Sequence, residues 1–215
     1  EHEVDLGLFG PESVSWRIHG DPILWVAGLR ALFLQALHPR ALAGVVQNSN
    51  YRSDSWGRLM RTAEYVGTVV YGTTADAQRA GERLRRIHAR LRARDPETGE
   101  EFRIDEPDLL RWVHVTEVES FVTTVRRAGG GLSDEDVDRY YAEQVRAAEL
   151  VGLPPSTVPS SAAEVDDYYR DVRRDLALSP PALGVAQFLF LPPMPRLLGW
   201  TRARPGWAEI DAMGF

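Results

Sequence analysis

Apolar residues recur along this chain at helical spacing, and no stretch alternates long enough to make a convincing strand. Residues 23–37, opened by Pro22, are apolar almost all round, which is the pattern of a buried helix. His38-Pro39 interrupts that run, and Pro39 suits the first position of a shorter helix. Asn48 to Ser53 reads as a polar loop. Ser53 or Asp54 then caps a helix running to about Tyr71, with Gly72 at its C-terminal end. Thr73 or Thr74 caps the next helix, over about 75–94, and Asp105 a long one over 106–127 that Gly129-Gly130-Gly131 closes. Ser133 with Asp136 resembles a capping box in front of 134–151, and Ser161 with Glu164 repeats the pattern before 162–177. After Pro180-Pro181 come an apolar helix, 182–191, and a Pro-rich, Trp-bearing tail.

These elements predict a single all-α domain over residues 1–215. The Pro/Ser stretch at 153–161 is the only linker candidate, and it is too short to divide the chain. The longest apolar run, Ile23 to Leu37, contains Arg30 and Gln35 and is shorter than a membrane span needs. With no signal-peptide pattern either, the expectation is a cytoplasmic protein.

Composition narrows the chemistry. The chain has no Cys, which excludes disulfides, thiolate metal sites and cysteine nucleophiles. It has no Lys either, so Schiff-base chemistry and the P-loop lysine are excluded. Any iron or other transition metal must therefore rely on the five His, on Tyr or on carboxylates. A net charge of −6 argues against a nucleic-acid partner. The six Arg between Arg83 and Arg94 read as the solvated face of one helix, although some could meet a cofactor's carboxylates. A helix-turn-helix regulator is disfavoured, because the region before residue 55 is apolar and carries few charges.

Two histidines fall on amphipathic helices. In the 75–94 helix the apolar stripe is Ala80, Leu84, Ile87 and Leu91, with His88 on its shoulder. Ala77 and Gly81, small residues on the His88 side, leave room for a flat ligand; the plainer reading is a boundary histidine. In the 106–127 helix His114 and Glu117 fall inside the stripe of Leu110, Val113, Phe121 and Val125, and Thr124 extends the polar strip. One turn apart, they can partner each other as a structural buried pair, or they can line a pocket wall. Periodicity makes Arg58 and Thr62, one turn apart on the 54–71 helix, boundary residues only.

An ordered set of blocks carries a resemblance. Ser13-Val14-Ser15-Trp16 with His19-Gly20-Asp21-Pro22 is followed by LRALFLQALHP (29–39), WGRLMRT (56–62), YG (71–72), RRIHARLR (85–92) and WVHVTEVESF (112–121). Over residues about 11–178 the chain resembles the rubber oxygenase (latex-clearing protein) and MpaB-type oxygenase family. That resemblance implies a globin-like helical domain holding haem b, which uses dioxygen to cleave a C=C bond of an isoprenoid or similar apolar substrate. It implies that His88 is the axial iron ligand, and that Arg58 and Thr62 act on bound dioxygen from the distal side. His114 and Glu117 are added as pocket residues from periodicity, not from the family. Rubber-cleaving members carry a distal-side Glu upstream of that Arg; between His38 and Asp54 this sequence has no acid, only Gln47, Asn48 and Asn50. The alternative is a non-catalytic module for a hydrophobic small molecule on the same fold. Its cavity would be formed by helices 23–37 and 182–191 with Trp25, Phe33, Phe188 and Phe190.

Overall fold

The structure is a computed structural model that describes residues 5–49 and 54–190. Ser13 caps α1 (Val14–His19), its side chain accepting from the Trp16 amide. The apolar α2 (Leu24–Gln35) follows, and then α3 (Pro39–Asn48), where His38 serves as cap and Pro39 sits in the first turn. Asp54 caps α4 (Ser55–Tyr71) and Thr73 caps α5 (Thr74–His88). Ser53, the other candidate cap for α4, lies outside the described residues, as does the tail after Phe190. A hairpin, β1 (Arg92–Arg94) and β2 (Glu101–Arg103), leads into α6 (Pro107–Arg127). The capping box of Ser133 and Asp136 opens α7 (Asp134–Leu150), and α8 (Ala162–Val172) and α9 (Pro180–Phe190) follow. The chain is all-α apart from that hairpin among the described residues.

Three predicted helix ends were wrong. α5 stops at His88 instead of 94, and residues 92–94 form a strand antiparallel to β2, with Ala93 opposite Phe102. The cause is tertiary. The Gln47 side chain donates to the Arg94 carbonyl (2.9 Å) and accepts from its amide (2.8 Å), and the Asn48 amide donates to the Arg92 carbonyl (2.9 Å). These bonds hold the segment extended against the end of α3, which a helix-period pattern does not reveal. Asp105 does not cap α6. The Arg103 guanidinium grips its carboxylate at 2.8 Å and 2.5 Å, and Glu106 occupies the cap position with no side-chain bond. α8 ends at Val172, five residues before the predicted 177, and a single tighter turn, Arg173–Asp175, follows.

α6 is the central helix. It lies closely against α2 and also meets α7, α1 and α3. Its fully buried Trp112 donates from Nε1 to the Gln35 carbonyl at 3.3 Å, and Val115, Phe121 and Val122 join Ile18, Ala27 and Tyr140 in the main core. Arg30 of α2 holds Glu119 of α6 with both guanidinium nitrogens, and Nη1 also donates to Ser120 at 2.7 Å. The α4–α5 pair is tied on differently: the two helices pack on each other, α4 rests on α1 and α5 on α7.

Candidate functional site

α5 presents its smallest residues to α7. Ala77 is fully buried beside Leu150, and a Cβ placed on Gly81 would sit 2.8 Å from the Leu150 carbonyl oxygen. The room that these residues leave is filled by protein. This corrects the expectation that Ala77 and Gly81 open a slot for a flat ligand. The opening lies on the other stripe. Ala80 and Leu84 are only half-buried, and Ile87 is 47% exposed.

His88 ends this stripe as the last residue of α5. Its ring is half-buried and makes no hydrogen bond among the described residues. Burial holds its pKa below the ordinary value, with the Asp105 charge pulling the other way. The imidazole is therefore neutral near pH 7 and keeps a free lone pair.

Arg58 and Thr62 stand one turn apart near the start of α4. α4 and α5 are joined through Gly72 and Thr73, so Arg58 and His88 both lie toward the helix ends remote from that connection. The Arg58 guanidinium is half-buried and donates to the Ser49 hydroxyl at 2.8 Å. It meets no carboxylate among the described residues, whereas neighbouring Arg61 is paired with Asp54 at 3.0 Å. Burial, and then the Arg61 charge, lower the Arg58 pKa from its ordinary value. Thr62 is exposed, and its hydroxyl donates to the Arg58 carbonyl at 3.1 Å.

His114 and Glu117 sit midway along α6. They do not pair: neither makes a hydrogen bond or an ion pair among the described residues. Burial alone pushes His114 down to about 4 and Glu117 up to about 7. Both nevertheless keep accessible surface. Lost solvation is therefore not offset by any partner among the described residues, which is costly for a polar group. Val113, predicted for the apolar stripe, is instead partly exposed, because α6 turns Trp112 and Val115 inward on either side of it.

Three further residues escaped the sequence reading. The Tyr140 hydroxyl of α7 is 3.1 Å from Nε2 of His19 on α1, and the His19 ring meets Phe121 edge-on. Burial pushes His19 down to about 4, and its Nδ1 is buried with no partner among the described residues. Tyr65 of α4 has a buried hydroxyl with no partner among the described residues. Burial pushes that phenol up to about 12; the charge of Glu117 adds to the rise and that of Arg85 opposes it. Tyr65 packs with Val69, Ala77 and Leu150, where α4 meets α5 and α7, and feels the charge of Glu117 on α6. His19 stood inside a recognised block of the sequence, whereas nothing in the spacing singles out Tyr65 or Tyr140.

The aromatic cavity expected between α2 and α9 is not formed among the described residues. Trp25 is 53% and Phe190 74% exposed, although the Phe33 and Phe190 rings meet at a tilt with centroids 4.9 Å apart. α2 turns Ala27 and Ala31 inward, which leaves Trp25 on the opposite side.

Comparison with known protein families matches residues 16–213 to the catalytic domain described as ER-bound oxygenase mpaB/B′/Rubber oxygenase. The chain belongs to this family. No curated protein and no solved structure matches it. The family is one of oxygenase catalytic domains, and the match covers every block of the resemblance except the residues before Trp16. Among the described residues of this member, no helix is long and apolar enough to cross a membrane, and no three His, Asp or Glu gather as a metal cluster. An iron held by one protein nitrogen inside a macrocycle needs no such cluster.

Proposed function

We propose that this oxygenase-family chain binds haem b beside α4, α5 and α6, with His88 as the axial ligand, and acts on an apolar substrate with dioxygen. The observation that carries this reading is the His88 ring: neutral, free of hydrogen bonds among the described residues, and set at the end of an apolar stripe whose Ala80 and Leu84 are half-buried and whose Ile87 is exposed. A porphyrin is flat and apolar and needs one such donor, so the residues fit the group. When bound, haem supplies the dioxygen chemistry that cleaves a C=C bond of an isoprenoid or similar molecule into carbonyl products.

The chain's own residues have separate tasks. Arg58 brings a fixed cation that no carboxylate among the described residues neutralises, which favours negative charge developing on a nearby oxygen. Thr62 offers a hydroxyl one turn away, at present satisfied only by its own helix. His114 stays neutral and Glu117 holds its proton to about pH 7, so neither places a full charge against an apolar ligand. Leu59, Ala63 and Leu84 supply half-buried apolar surface.

Dioxygen consumption by hemin-loaded protein tests the function, with squalene as the probe and carbonyl products read by mass spectrometry. Uptake of dioxygen that depends on squalene and is lost in Arg58→Ala is the expected result. Protein that binds hemin and squalene but consumes no dioxygen would support the non-catalytic binding module instead.

A further inference from the structure

Among the described residues, polar groups on α4 and α6 lack the partners that their burial demands. The Tyr65 hydroxyl (α4) is buried and unbonded. Glu117 (α6) has no hydrogen bond and lies near enough to both Tyr65 and Tyr140 (α7) for its charge to act on each phenol. The Tyr140 hydroxyl has one neighbour, Nε2 of His19, and capacity for another. An unsatisfied buried donor or acceptor is costly, so such groups left together call for something polar between them.

We propose that Tyr65, Glu117 and Tyr140 form one polar subsite at the inner end of the apolar space, built to take the oxygen of an alcohol or carbonyl on an otherwise apolar ligand. His19 acts behind it as a positioning residue, fixing the Tyr140 hydroxyl through the 3.1 Å contact. The chemistry of the groups excludes other ligand ends. An anionic end finds no cation within the subsite itself: His19 is neutral at any pH well above about 4, and Arg85, whose charge reaches Tyr65, is engaged with the Leu150 carbonyl. A cationic end finds no fixed negative charge while Glu117 keeps its proton, up to about pH 7. A hydroxyl can donate to one of these oxygens and accept from another, and a carbonyl can accept from Tyr65 and from protonated Glu117. The proposal rests on the apolar space of the function proposed above, but not on haem.

Calorimetric titration of the full-length protein with geraniol and with its deoxy hydrocarbon tests the subsite, since the two probes differ only in the hydroxyl. The expected result is geraniol binding about tenfold tighter than the hydrocarbon. Tyr65→Phe and Glu117→Ala should each bring the two affinities toward parity without weakening the hydrocarbon. Tyr65→Phe removes only an unbonded hydroxyl and is expected to fold; its circular dichroism checks this. Equal affinities in the wild type mean that the groups hold only water, which overturns the subsite and leaves the apolar space standing. A preference for geraniol that survives both substitutions overturns the residue assignment. Binding of neither probe overturns the subsite and the apolar space together.

Discussion

Gly81 of α5 faces the Leu150 carbonyl of α7 so closely that a Cβ at position 81 would lie 2.8 Å from that oxygen. The obstacle is backbone, which cannot swing away as a side-chain end can. Gly81→Ala should therefore destabilise the fold by roughly 1–3 kcal/mol in urea denaturation. Ala80→Ser, on the half-open stripe, should stay within about 0.5 kcal/mol. Equal costs at the two positions would mean that the packed and open faces of α5 have been exchanged.

The cross-link between α2 and α6 gives a second expectation. Arg30 holds Glu119, whose side chain is mostly buried, and donates also to Ser120. Arg30→Ala leaves a carboxylate with little water and no cation, and should cost about 3 kcal/mol. The Arg30→Ala Glu119→Gln double variant should recover part of that loss, because the stranded charge is gone.

Arg58 should behave in the opposite way. Among the described residues its guanidinium serves only the Ser49 hydroxyl, so Arg58→Ala should change stability by no more than about 1 kcal/mol. Under the proposed function the same change should reduce turnover by roughly 10²–10³-fold. A large loss of stability with activity retained would make Arg58 a structural residue.

Buried titratable groups set the pH dependence. Folded Glu117 keeps its proton to about pH 7, whereas the unfolded carboxyl loses it near its ordinary 4.5. Between those values the folded state binds the extra proton, so this group's contribution to stability falls as pH rises. His19 and His114 act oppositely. Folded, they stay neutral down to about 4, while unfolded they take up protons near 6.5, so stability is lost as pH falls through that window. Glu117→Gln should therefore steepen the rise of stability between pH 5 and 6.5 by about one proton. It should also leave the protein of the order of 1–3 kcal/mol more stable at pH 8. Parallel wild-type and variant curves would show that Glu117 is solvated in the folded state.

How far the sequence could be read depended on whether the deciding forces are local. Helix caps are local, and Asp54, Thr73, Ser133 and Ser161 each bond the amide that their position predicts. The end of α5 is not local, since Gln47 and Asn48 of α3 hold residues 92–94 in a strand. Periodicity placed His114 and Glu117 on an inward face of α6, but i,i+3 spacing could not tell that they would ignore each other. The apolar stripe of α5 was found correctly while its packing was inverted, because hydrophobicity marks Leu84 and Ile87 whereas helix approach selects Ala77 and Gly81. Tyr65 and Tyr140 meet the site only through tertiary contacts of α4 and α7, and they leave no mark in the spacing. Arg58 and Thr62 emerged from family resemblance alone.

The central claim is that the His88 nitrogen is available to a haem iron. Hemin titration of the purified protein, followed by absorption spectroscopy, tests it most directly. A saturable Soret band at one haem per chain, lost or shifted in His88→Ala with circular dichroism unchanged, is the result predicted. Wild-type protein that takes up no hemin, or a Soret band identical in His88→Ala, would contradict it.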